Sequence, residues 1–149
     1  MSWPVRYKMV GFLTAGSMIN YADRVNISVA APVMMAALGW NESDFGLIFS
    51  AFLCGYMLLQ FPGGIIADRW NTRWVLGWSC IGFSVLTALT PAGAIAFGLM
   101  LAIRFGVGLF ESVSFPAYAV MNSRWIPRLE FGRAQTASMS GSHLGQALA

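Results

Sequence analysis

Charge is scarce in this chain. Asp, Glu, Lys and Arg make up 10% of its 149 residues, against about 25% in an ordinary soluble domain. Hydrophobic residues make up 57%, and the mean hydropathy is +0.63. That balance excludes a solvated globular domain. It predicts an all-α membrane protein, because apolar runs of about 20 residues cross a bilayer as helices. Cysteine is also scarce. Cys54 and Cys80 both sit in apolar runs, which excludes a disulfide framework and predicts buried, reduced thiols. The single histidine, His143, has no neighbouring ligand types, so no metal and no cofactor is expected; it reads as a satisfied polar contact. No nucleophile–base–acid arrangement and no phosphate loop is present, which argues against an enzyme. The net charge of +3 does not imply nucleic acid, since the basic residues flank apolar segments instead of forming a patch. Arg6 and Lys8 resemble the start of a signal peptide, but the pair Asp23–Arg24 interrupts the apolar stretch behind them, and no cleavage site follows.

What is present divides into spans. The apolar runs predict four complete spans, at about 9–38, 44–67, 74–90 and 93–122, and the start of a fifth at 133–149. Arg6 and Lys8, then Arg69 and Arg73, then Arg124, Arg128 and Arg133 mark one side; the loops GWNESD and TPAG carry no basic residue. By the positive-inside rule the N-terminus is cytoplasmic in a multi-pass cell-membrane protein, with the bacterial inner membrane the expected setting. Gly77, Gly82, Ala102, Gly106, Gly108, Gly141 and Gly145 allow close helix approach, the last two at the spacing of a packing motif.

Four charged residues fall inside the spans, away from their ends: Asp23, Arg24, Arg104 and Glu111. An ionised group at the bilayer centre costs about 2.5–3.5 kcal/mol on insertion scales, so each needs a partner, a cavity or a function. Tyr21 and Arg24 are three apart and share a helix face with Ser28. A guanidinium beside a phenol suits a carboxylate, which it binds with two donors while keeping its charge. Asp23 points about 100° away, on the face of Asn20 and Asn26; partly desolvated, it could take up a proton. The competing reading is that Asp23 and Arg24 pair with other helices and hold the bundle together.

In the fourth span Arg104 and Glu111 share a face about 10 Å apart, too far to pair along the helix. Each therefore faces another helix or a cavity. Pro116 frees the carbonyl of Ser112 and gathers Glu111, Ser112 and Ser114 at one depth. Glu111 reads as a proton carrier or as a structural partner of Arg24 or Arg104. Tyr56 and Gln60, one turn apart in the second span, line a cavity or bridge helices. At its end, GGIIADRWNTR (63–73) brings Gly64, Asp68, Arg69 and Arg73 to the membrane edge. Gly64 is expected to permit tight helix contact there, and Asp68 to favour the dipole of the third helix.

The stretch from Gly64 to Arg73 resembles G-x-x-x-D-R-x-G-R-R, a loop of the major facilitator superfamily, with Asn71 in place of the usual glycine and Thr72 in place of a basic residue. Arg104-x-x-x-Gly108 resembles that family's fourth-span motif. Together with NYADRVN, Glu111 and FESVSFPA, the chain is similar to the anion:cation symporters, which include carriers of sugar acids, glutamate and sialic acid. The resemblance covers nearly the whole chain and implies the N-terminal portion of a major facilitator helix bundle. It implies alternating access against a second, C-terminal bundle that is missing here. It implies that Arg24, Tyr21 and Tyr56 hold an organic anion, that Asp23 and Glu111 handle protons, and that the loop of Asp68 and Arg69 steadies one conformation. Gly64, Arg73 and Arg104 belong with that gating set. The expected function is proton-coupled symport of an organic anion such as a hexuronate, galactonate or aldarate. The alternatives are an organic-anion antiporter or facilitator, or a truncated membrane polypeptide that does not transport.

Overall fold

The computed structural model describes residues 5–148; Ala149, the end of the fifth expected span, lies outside them. The described residues are helices joined by short turns. In chain order the helices are α1 (Val5–Leu38), α2 (Glu42–Arg69), α3 (Thr72–Ala88), a short α4 (Thr90–Gly93), α5 (Phe97–Ser112), α6 (Ser114–Trp125) and α7 (Phe131–Leu148). Among the described residues two helical stretches, Glu42–Arg69 and Phe97–Trp125, are long and apolar enough to cross a membrane by length and composition.

Local chemistry sets the boundaries. α1 ends on Gly39 at φ +70°, in the left-handed region, with the Gly39 N–H bonded to the Met35 carbonyl at 3.0 Å; only glycine takes this closing position without steric cost. Two residues on, Asn41 Oδ1 accepts from the Asp44 N–H at 2.9 Å while Asp44 Oδ2 accepts from the Asn41 N–H at 3.0 Å. This reciprocal cap satisfies two of the orphan donors that begin α2. α3 starts on Asn71, whose side chain accepts from the Arg73 N–H at 3.2 Å, and the buried Thr72 hydroxyl donates to the Ala67 carbonyl at 3.0 Å. Both departures from the family loop pattern thus act locally. Asn71 opens α3, and Thr72 ties it to the end of α2.

The structure corrects several expectations. Asp68 lies in the last turn of α2, not at the start of α3; the backbone dipole is unfavourable to a carboxylate there, and Asn71 caps α3 instead. TPAG is not an open loop but the helical turn α4, with Pro91 in its first turn, where a fixed φ suits the helix. The fourth expected span begins at Phe97 and is interrupted at Val113. Gly77 has no neighbour in reach, and Gly64 makes only ordinary contact with Pro116. The close approach falls to Gly63, where an added Cβ would stand 3.1 Å from Val113 Cγ2. Cys54 and Cys80 are free but exposed, because they lie on outward faces of α2 and α3.

The chain divides into two compact units: Val29–Ala117, and the residues up to Ser28 taken with those from Tyr118 onward. In the first, α5 packs chiefly on α2 and then on α3. Its core is Phe83, Ile103 and Val107, with Phe52 and Leu86 against them. Gly55 meets the Phe105 backbone carbonyl, and Gly108 meets that of Phe52. The two helices touch backbone to backbone, and neither position has room for a side chain. In the second unit α1 and α7 approach as closely. Gly141 lies on the Thr14 carbonyl and Gly145 on that of Met18. Thr14 Oγ1 stands 2.9 Å from both the Val10 and Ala137 carbonyl oxygens, and Ser17 Oγ donates to the Ser138 carbonyl at 2.5 Å.

Candidate functional site

The expected site residues fall on both units. On α1 the Arg24 guanidinium carbon lies 5.0 Å from the centroid of the Tyr21 ring. The i, i+3 spacing on one helix makes this meeting a local consequence of sequence. A cation over an aromatic face is attracted by the ring quadrupole, by about 0.5–2 kcal/mol depending on desolvation. A guanidinium carries paired planar donors of the kind that a carboxylate or phosphate accepts. Tyr21, Asp23 and Arg24 are each partly buried. Asn20, one turn before Arg24, is 1% exposed, and its amide nitrogen donates to Tyr118 Oη at 3.4 Å. Asn26 and Ser28, grouped with this face by spacing, are exposed.

In the other unit Glu111 is fully buried at the end of α5. The Val113 N–H that follows bonds the carbonyl of Glu111 itself, where the helix opens before Pro116. Ser112 Oγ donates to the Leu109 carbonyl at 2.7 Å. Arg104, 5% exposed, donates through Nη2 to Thr90 Oγ1 at 3.3 Å, linking α5 to the turn before it. Tyr56 stacks on Phe52 with ring centroids 5.9 Å apart and an interplanar angle of 27°, while Gln60 is exposed. Asp68, Arg69 and Arg73 are exposed around the α2–α3 turn. A groove of about 610 Å³ opens beside that turn, lined by apolar residues including Trp70, Trp74 and Trp78. None of the residues expected to hold an anion or a proton lines it. Its exposed indoles are of the kind that gather at a membrane–water interface.

Sequence reasoning missed the buried polar residues that support these groups. Ser79 is 4% exposed on α3 and bonds the end of α5. Tyr118 carries its hydroxyl against Gly16. Asn122 donates to Gln135 Oε1 at 2.9 Å and Ser138 Oγ at 3.2 Å. The signal that could have found them was hydroxyls at helical spacing on one face, Thr14 with Ser17 and Ser138 with Ser142, beside Gly141 and Gly145.

The chain is similar to known proteins. The family model described as Major Facilitator Superfamily matches residues 13–149. A rice protein (Oryza sativa subsp. japonica) named probable anion transporter 1, chloroplastic, is 38% identical over 96% of this chain and 27% of its own length. The sodium-dependent phosphate transport protein 1, chloroplastic, of Arabidopsis thaliana is 38% identical over 96% of this chain and 28% of its length. The chloroplastic ascorbate transporter of the same plant is 35% identical over 96% and 27%. Among solved structures, a bacterial homolog of the human lysosomal transporter Spinster, inward-facing and unoccupied, aligns with a TM-score of 0.92 at 24% identity, over 99% of this chain and 31% of that one. This chain therefore spans 27–28% of the length of these curated relatives.

Proposed function

The chain belongs to the major facilitator superfamily, a multi-pass membrane transporter class and not an enzyme class, and from that premise we propose that it forms part of a proton-coupled carrier of an organic anion. The observation that carries this reading is the Arg24 guanidinium over the Tyr21 ring in the middle of a long helix, in a chain whose curated relatives are named for anion, phosphate or ascorbate transport. Arg24 supplies a permanent positive charge and paired donors for a carboxylate. Tyr21 holds the guanidinium in place and offers a hydroxyl. Asp23, adjacent in the chain, offsets that charge when the anion is absent; a proton on Asp23 removes the offset and favours anion capture.

For the other unit we propose that Tyr56 provides a second phenol for the anion and that Glu111 is a proton carrier. Gly64, Asp68, Arg69, Arg73 and Arg104 are assigned to the conformational exchange that a second helix bundle completes in the full-length protein. The N-terminus is assigned to the cytoplasm, in a bacterial inner membrane, on the distribution of basic residues. Sugar acids such as hexuronates, galactonate and aldarates are the substrates favoured for the anion. The name of the phosphate relative supports a second reading, in which the anion is inorganic phosphate and the coupling ion is sodium. Both readings need Arg24 and differ in the driving ion.

The test is uptake of labelled sugar acids and phosphate into proteoliposomes holding the full-length parent protein, under an imposed proton or sodium gradient, with Arg24→Ala alongside. Proton-driven uptake of one acid that Arg24→Ala abolishes is the expected result. Sodium-driven phosphate uptake selects the second reading, and normal transport by Arg24→Ala removes both.

A further inference from the structure

We propose that Ser79 is a positioning residue for Glu111, acting through the peptide unit that carries it. The inference rests on the reading of Glu111 as a proton carrier. Pro116 has no N–H, so the helix cannot continue its ladder through the preceding turn. α5 stops at Ser112, α6 starts at Ser114, and the Val113 N–H turns back to the Glu111 carbonyl. In an apolar setting the carbonyls of such an opened turn need other donors. α3 supplies one. Ser79 Oγ donates to the Phe110 carbonyl at 2.5 Å and lies 3.0 Å from Ser114 Oγ. A serine hydroxyl has one proton, so with that of Ser79 committed to Phe110, the Ser114 hydroxyl donates to Ser79. The chain Ser114–Ser79–Phe110 spans the break from one side to the other.

The Phe110 carbonyl is the significant end. It shares a planar peptide unit with the nitrogen of Glu111. Holding its oxygen fixes the plane from which the Glu111 Cα and its side chain depart. One turn along α3, Gly82 lies on the Phe110 ring, where an added Cβ would overlap it. α3 thus grips residue 110 by carbonyl and by ring, and Ser79 and Ser114 are both buried. This hydroxyl is placed at the peptide leading into the buried carboxyl group. Its loss leaves Glu111 with a second orientation available across the break, one that does not pass its proton to the coupled step.

The experiment compares proton-driven uptake with counterflow exchange, in the full-length parent protein in proteoliposomes, and reads their ratio. Ser79→Ala is expected to lower that ratio about fivefold, the size of one lost hydrogen bond, with exchange retained. Ser79→Thr, which keeps the hydroxyl, is expected to restore it. A ratio unchanged in Ser79→Ala, whether both activities persist or both fall together, overturns the proposal, as does a Ser79→Thr ratio no better than that of Ser79→Ala. Should Ser79→Ala not reconstitute, Ser114→Ala reads the same ratio, with about a twofold fall expected and no change overturning the proposal. Glu111→Gln separates the role of Ser79 from the reading beneath it. If it leaves the ratio intact, the proton-carrier reading itself fails; if it lowers the ratio and Ser79→Ala does not, only the role of Ser79 fails.

Discussion

The two units solve one packing problem with different chemistry. Between α2 and α5 the solution is two glycines, each against the other helix's backbone: Gly55 on Phe105 and Gly108 on Phe52. Between α1 and α7 both glycines, Gly141 and Gly145, lie on α7, and α1 answers with hydroxyls, Thr14 to Ala137 and Ser17 to Ser138. In lipid the tails are as apolar as leucine, so helices gain little by hiding apolar surface from them. Association then depends on close packing and on hydrogen bonds. The α2–α5 seam rests on shape. The α1–α7 seam adds polar bonds, and it lies on the helix that also carries Asn20, Tyr21, Asp23 and Arg24. Polar bonding there fixes α1 against its neighbour at the register from which the arginine projects.

The difference can be broken at its strongest point first. Gly108→Leu drives a side chain into the Phe52 carbonyl and the Tyr56 nitrogen, backbone atoms that cannot step aside. We expect more than about 3 kcal/mol of destabilisation and little folded protein, read as the yield of monodisperse protein in detergent. Gly141→Ala meets the Thr14 backbone carbonyl as well as the Ser17 hydroxyl; the hydroxyl can turn but the carbonyl cannot, so α1 and α7 must separate slightly, and with a methyl group in place of an isobutyl a cost of about 3 kcal/mol is expected by thermal unfolding. Ser17→Ala removes one of the two hydroxyl bonds of the α1–α7 seam and leaves its shape. Its cost should be about 0.6 kcal/mol, the average for such bonds in membranes, and its effect on anion affinity should exceed its effect on stability. If Ser17→Ala proves as damaging as Gly108→Leu, the distinction between a seam of shape and a seam of bonds is wrong. The smallest effect is expected from Cys54→Ser or Cys80→Ser: both are exposed, and neither should change stability by more than about 0.5 kcal/mol in thermal unfolding.

Much of this was legible in the sequence, and what was not has a common cause. Helix content follows from apolar run length, and the meeting of Tyr21 with Arg24 from i, i+3 spacing on one helix. The interruption near Glu111 follows from Pro116. Boundaries were displaced where a cap overrode composition: Asn41 with Asp44 sets the start of α2, and Asn71 sets α3, which moves Asp68 into the preceding helix. The supporting contacts were hidden because they are tertiary. That Ser79 bonds Phe110, Asn20 bonds Tyr118 and Gly63 packs closer than Gly64 depends on which faces meet, and a single chain's periodicity does not say which helix stands opposite. The outward placement of Cys54 and Cys80 went unread for the same reason. Lipid-facing and core-facing positions are both apolar in a membrane helix, so composition does not distinguish them.

The central claim is that Arg24, held by Tyr21, grips the anion. Equilibrium binding tests it apart from coupling and turnover. Tryptophan fluorescence of the purified full-length protein would be titrated with the anion that uptake identifies, for the wild type, Arg24→Lys and Tyr21→Phe. We predict at least about a tenfold loss of affinity for Arg24→Lys, since an ammonium keeps the charge but loses the paired planar donors. Tyr21→Phe, which keeps the aromatic face, should lose less. Unchanged affinity in Arg24→Lys would contradict the account and leave the arginine a structural charge within its own helix bundle.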